Sequence, residues 1–139
     1  MDTSKTIEEV EEKLFLQPLS AMVAKLCYFR RLERAWRLIE SDFARPDTTL
    51  QKAAIVSRAN KNHLNVLLRK ATGLTFHQLL TRYRVLKAIS MMLDKNYSFL
   101  EISTEVGFGS LNTFERDFRQ LIGVTPRSFK SYHLFGKTR

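Results

Sequence analysis

The 139-residue chain is predicted to be all-α, with two helix-turn-helix lobes joined by a long linker helix and preceded by one or two N-terminal helices. Three observations predict it. In segment after segment the apolar residues recur at three- and four-residue spacing, the pattern of one-sided helices rather than of alternating strands. Glycine is scarce, five in all and none before Gly73, so the usual residues of hairpin turns are missing and long helical runs are favoured. Finally, a helix with its stop and restart is written twice. Leu64, Leu68, Arg69, Gly73, Leu74, Thr75 and Leu79 superpose on Phe114, Phe118, Arg119, Gly123, Val124, Thr125 and Phe129 at a single offset of fifty residues.

The elements follow in order. Residues 6–15 read as an amphipathic helix, with Thr6 and Glu9 as a capping box and Ile7, Val10 and Leu14 on one face. Pro18 interrupts the pattern, and Leu19, Met22, Val23, Leu26 and Phe29 form a second stripe. Residues 1–30 are open to two readings: extra core folded back on the body, or an exposed face for a homodimer through residues 6–29 or for contact with another protein. From Arg31 to Ala44 the face of Leu32, Ala35, Trp36, Ile39 and Phe43 marks a helix with Trp36 in the core. Arg45-Pro46-Asp47 breaks it, and Thr48 or Thr49 caps the next.

Residues 50–79 form the first copy and residues 99–129 the second. In the second, Ile102 and Val106 lie four apart, Gly107-Phe108 makes the turn, Phe114, Phe118 and Leu121 form the next stripe, Gly123 stops it, and Thr125-Pro126 starts another helix. Omitting one residue from the second turn aligns the first helices as well, and this sets Arg58-Ala59 where the other copy has Gly107-Phe108. Residues 76–93 read as one continuous helix, with Arg82, Arg84 and Lys87 left for solvent or phosphate. The resulting division is a first lobe at 31–75, a linker helix at 76–94, a second lobe at 97–133 and a tail at 134–139.

The formal charge is +9 and the sequence pI near 10.0, which calls for an anionic partner. Residues 1–30 carry a net −1, so the excess belongs to the part with the repeats. A single cysteine, Cys27, forbids an internal disulfide and leaves a zinc site without its usual thiolates. The expectations are a reducing, cytoplasmic compartment, no cofactor and no membrane, since the apolar runs are too short for a span and the N-terminus is acidic. His63, His77 and His133 are isolated, and neither a nucleophile frame nor a phosphate-cradling glycine loop is present, which argues against an enzyme.

The block EVGFGSLNTFERDFRQLIGVTPRSF, together with the weaker first copy, resembles the DNA-binding domain of the AraC/XylS family of bacterial transcription regulators over roughly residues 32–133. The resemblance implies a seven-helix, two-lobed fold that binds asymmetric sites on double-stranded DNA, usually to activate transcription through contact with RNA polymerase. Many family members carry a separate sensor domain before this part, and some thirty residues are too few for one. The implied alternatives are a member without a sensor, or a piece of something longer.

A helix fits the major groove with its N-terminal half facing base edges, so the reading positions lie early in each second helix and off its apolar stripe. By family alignment Asn62, Asn65 and Val66 occupy them in the first copy, with the asparagines suited to adenine and Val66 to a thymine methyl. In the second copy the free face offers Leu111, Asn112 and Arg116, with Arg116 suited to guanine and Glu115 and Asp117 either orienting it or pointing away. Should those carboxylates face the DNA instead, the second copy would be the weaker binder, with more of the sequence choice left to Asn62 and Asn65. Phosphate contacts are expected from Lys61, Arg69 and Thr75 in the first lobe, and from Ser110, Thr113, Arg119, Thr125, Arg127 and Lys130 in the second. The competing reading is a regulator that works by protein contact through its N-terminal helices, with weak or non-specific DNA binding.

Overall fold

A computed structural model describes residues 3–94 and 96–135, with side chains over 6–94 and 96–133. Among the described residues there are helices only: α1 (Thr3–Phe15), α2 (Leu19–Tyr28), α3 (Arg30–Asp42), α4 (Leu50–Ser57), α5 (Lys61–Thr72), α6 (Phe76–Met92), α7 (Phe99–Glu105), α8 (Leu111–Ile122) and α9 (Pro126–Phe135). The first lobe is α3 to α5, the linker is α6, and the second lobe is α7 to α9.

The repeat holds at the level of the backbone. Helices α5 and α8 have the same length and lie fifty residues apart; each starts at a side-chain cap, Asn60 or Ser110, and each ends at a left-handed glycine, Gly73 (φ 81°) or Gly123 (φ 97°). The turns before them also agree, since Gly107 has φ 93° and Arg58, the residue in its place, has φ 54°. Arg58 is therefore a non-glycine residue forced into a conformation that glycine adopts freely. The small residues Ala54 and Ser103 are both buried where their helices cross. Aliphatic Leu64, Leu68 and Leu79 fill the first lobe, whereas in the second Phe108, Phe114, Phe118 and Phe129 form a run of ring contacts at 5.3, 5.7 and 5.6 Å.

The lobes share one core. Trp36 is buried and meets Tyr83 of α6 edge-on at 5.3 Å, and Phe43 meets the same ring at 5.4 Å. Arg84, read as free for solvent or phosphate, instead donates to the carbonyls of Phe43 (2.6 Å) and Arg45 (3.1 Å), so a linker cation caps the end of α3. Thr48 does the same with its hydroxyl, donating to Asp42 O, and it is Thr49 that caps α4. The Gly107 turn of the second lobe lies against the Ala44 backbone of the first, within 2.9 Å of where a Cβ would stand.

The N-terminal segment resolves in favour of extra core. Val10, Leu14, Phe15, Met22 and Leu26 are buried in the common cluster, with α1 along α6 and α2 against α3 and α5. Much of the apolar face at residues 6–29 is thus covered within the chain, while Leu16, Tyr28 and Phe29 remain exposed. Thr6 is no cap, because α1 starts three residues earlier, at Thr3, and the Thr6 side chain is buried inside it. Helix α9 continues to Phe135, past the expected start of the tail, and residues 136–139 lie outside the described residues. No described helix is long and apolar enough to cross a membrane.

Candidate nucleic-acid interface

Each reading helix is set by a cap. Asn60 Oδ1 accepts from the Asn62 (2.8 Å) and His63 (3.4 Å) amides, which frees the face behind the cap to project outward. Lys61, Asn62, Val66 and Arg69 are exposed along that face, and Val66, at 47% exposure, is an uncovered valine of the kind a thymine methyl would meet. His63 is exposed beside them and enlarges the first-turn surface.

Asn65 is also tied into the fold. It is half-buried, and its Oδ1 accepts from the Phe76 amide at 2.9 Å, tying the middle of α5 to the start of α6. This bond satisfies a backbone N–H that would otherwise lack a partner and fixes the Asn65 side chain in place, leaving its second lone pair and its NH2 group. Periodicity showed Asn65 off the apolar stripe but not which chain segment crosses it.

In the second lobe Ser110 Oγ accepts from the Thr113 amide (3.1 Å) and donates to the Thr113 hydroxyl (2.9 Å), so these two predicted phosphate ligands cap α8 as a pair. Asn112, Arg116 and Arg119 are exposed. Arg116 is 72% exposed while its Nε donates to Asp117 Oδ1 at 3.4 Å, the orienting role considered for that carboxylate. Leu111, expected to read bases, is half-buried and packs on the core, as an apolar first-turn residue beside a hydrophobic cluster does. Lys130 is half-buried with its ammonium 5.7 Å from the Phe99 ring centroid, over an aromatic face of its own lobe. Arg127 is exposed; Thr125 accepts from the Ser128 amide and donates to the Ser128 hydroxyl.

The electrostatics follow from helix ends. The first turns of α5, α6, α8 and α9 contain no carboxylate, and Asn60, Thr75, Ser110 and Thr125 cap them with neutral oxygens. Their remaining N–H groups keep the positive end of the dipole available to an anion. Helix α7 is the contrast: Glu101 closes a capping box with Ser98, so its N-terminus is neutralised from within. The predicted phosphate groups Lys61, Thr75, Ser110 and Thr125 thus lie at or beside four of the carboxylate-free starts.

Two side chains outside the predicted set position the interface. Arg84 holds the end of α3, and Lys13 on α1 donates to the Ile122 carbonyl at the end of α8. The available signal for Lys13 was a lysine in the last turn of an otherwise acidic helix, which does not say what lies opposite.

Comparison with known proteins agrees with this geometry. A family described as a helix-turn-helix domain matches residues 53–132. The transcriptional activator AggR of Escherichia coli is 26% identical over a match covering 95% of this chain and 54% of that protein. The DNA-binding dual transcriptional regulator Rns of Escherichia coli is 25% identical over the same shares. The chain thus spans about half the length of the curated relatives it matches. The DNA-binding domain of AdpA, solved in complex with a target DNA, superposes with a TM-score of 0.69 over 78% of this chain and 96% of that one, at 21% identity. The C-terminal domain of the response regulator yesN from Fusobacterium nucleatum gives 0.65 over 69% and 93%, at 24% identity. With the family match extending over more than half of its residues, the chain belongs to the AraC/XylS-type helix-turn-helix family of transcription regulators.

Proposed function

We propose that this chain is a sequence-specific transcription regulator, acting on the nucleoid in the cytoplasm, that sets α5 and α8 into two successive major grooves of one asymmetric DNA site. The observation that carries this is the pair of matched, capped helices on one shared core, alike in their exposed Asn62 and Asn112 and Arg69 and Arg119 but unlike between them, where α5 has Val66 and α8 has Arg116. Different groups on the two helices fit unlike half-sites, and one chain carrying both needs no symmetric partner. Successive grooves lie roughly 34 Å apart, and lobes held closer than that require bent DNA, at a cost on the order of 1–6 kcal/mol.

The test is selection of bound fragments from a random duplex pool, followed by titration at several salt concentrations. Two unlike blocks one helical turn apart are expected, with affinity falling by a log–log slope of about −0.9 per neutralised phosphate. A palindrome, or binding indifferent to salt, would overturn the proposal.

We further propose that the chain activates transcription by contact with RNA polymerase. Support comes from a groove of about 440 Å³ between α6 and α7, lined by Met91, Tyr97, Leu100, Glu101, Thr104 and Glu105. On a basic protein this is an acidic and apolar face beside a helix start that carries a carboxylate, and it is complementary to a basic protein surface. Leu100→Asp with Glu101→Gln is expected to abolish promoter activation while leaving DNA affinity intact; undiminished activation would place the polymerase contact elsewhere.

A further inference from the structure

Helices α1 and α2 form a hairpin whose two arms reach different reading helices from behind. Arm α1 runs along the linker α6 and touches α8, where the Lys13 ammonium donates to the carbonyl of Ile122, a C-terminal group left open by the helix pattern. Arm α2 lies against α5 and α3, with Met22 and Leu26 fully buried. The corner between the arms is fixed: Leu16 takes a left-handed conformation (φ 62°), the Pro18 carbonyl accepts from the Ala21 and Met22 amides, and Lys25 donates to Gln17 at 3.0 Å.

Without the hairpin, the lobes are joined by α6 and by the contact of Gly107 with Ala44. Two connections leave rotation about the line through them, whereas a third, from α1 to α8 and from α2 to α5, resists that motion as well. We infer that the α1–α2 hairpin is a strut that sets the spacing and angle of α5 and α8, with Lys13 as a positioning residue for DNA half-site spacing. The inference rests on the two-groove reading above. Neither arm touches DNA in this scheme; the hairpin acts through the backs of both reading helices. It selects among DNA sites by their spacing, while the exposed faces select by base.

The experiment uses the full chain and the site selected from the random pool. Affinities are measured for that site, for the same site with one base pair inserted or removed between its blocks, and for each block alone. Lys13→Met keeps the stem and removes the charge. It is expected to leave single-block affinities within about twofold of the parent, as for independent sites. Discrimination against the altered spacings should fall by about fivefold or more, the scale of a coupling between linked sites. Lys13→Arg should restore it. As a DNA-free readout, spin labels at Ile55→Cys and Thr104→Cys in a Cys27→Ser background should give a broader inter-lobe distance distribution in Lys13→Met. Unchanged discrimination and distance width in Lys13→Met, with only a lower melting temperature, would overturn the strut. A parent chain that selects a single block would overturn the two-groove reading and the strut together.

Discussion

Three of the left-handed positions, Gly107, Gly73 and Arg58, allow one backbone conformation to be weighed under three degrees of crowding. Gly107 (φ 93°) has the Ala44 Cα and O at 2.9 Å and its C at 3.0 Å from the site of a Cβ. Gly73 (φ 81°) has nothing within 4 Å, and Arg58 (φ 54°) already carries a full side chain in the same region. Gly73→Ala should therefore show the conformational penalty alone, about 1–2 kcal/mol. Gly107→Ala adds a collision with backbone atoms that no rotamer change can relieve, at the overpacking scale of about 1–3 kcal/mol, for a total of about 2–5 kcal/mol. Arg58→Gly relieves strain but adds unfolded-state entropy, so its net gain should be smaller, about 0.5–1 kcal/mol. Urea unfolding followed by circular dichroism at 25 °C reads all three as shifts of midpoint at constant slope. The reasoning fails if Gly107→Ala is no worse than Gly73→Ala, because the contact between the Gly107 turn and Ala44 would then not be tight in solution. Since domains of this size have about 5–15 kcal/mol of stability, the upper end of the Gly107 range approaches unfolding.

Asn65→Ala should cost about 1–3 kcal/mol of stability by stranding the Phe76 amide, with the selected DNA motif unchanged; a changed motif at unchanged stability would return Asn65 to the reading set. Arg116→Ala should cost about 1–3 kcal/mol at one base pair of the second block, measured on single-base variants of the site, whereas a uniform loss over all sequences would make Arg116 a phosphate contact. Asp47 is held down to about 2, against an ordinary 3.8, first by the side-chain hydrogen bond from Arg45 and then by that from Lys52, at 3.1 Å each. Because its folded value is depressed, its contribution to stability is complete above 3.8 and lost as pH falls toward 2, and Asp47→Asn should flatten acid unfolding in that window alone.

The parts of this fold that were legible are those where local backbone chemistry leaves little choice. A glycine at a left-handed stop, a hydroxyl or amide before a helix, and apolar residues at helical spacing act within a few residues of themselves, so Asn60, Gly73, Thr75, Ser110, Gly123 and Thr125 declare both lobes. What was not legible depends on which segment crosses which. Asn65 and Asn62 are the same residue type on one helix, and only the passage of Phe76 beside Asn65 separates a structural tie from an exposed amide. Lys130 and Arg127 are both basic residues of α9, and only the Phe99 ring distinguishes them. Leu111 stood off the main stripe, yet the core extends far enough around α8 to cover half of it.

These differences move the balance of base reading between the two lobes. With two asparagines on α5 and two carboxylates beside Arg116, the sequence favours the first lobe as the main reader. In the structure Asn65 is tied to the α5–α6 joint, and we propose that base reading on α5 then rests mainly on the amide of Asn62, the methyls of Val66 and the cation of Arg69. Helix α8 keeps Asn112 and an Arg116 whose guanidinium is exposed and already directed by Asp117. An exposed pair of this kind adds little to stability, but it limits the rotamers that a long side chain would have to give up on meeting guanine. The acidic neighbour is therefore better understood as reducing the entropy cost of one specific contact than as repelling phosphate. On this argument we propose that the second lobe reads bases at least as strongly as the first.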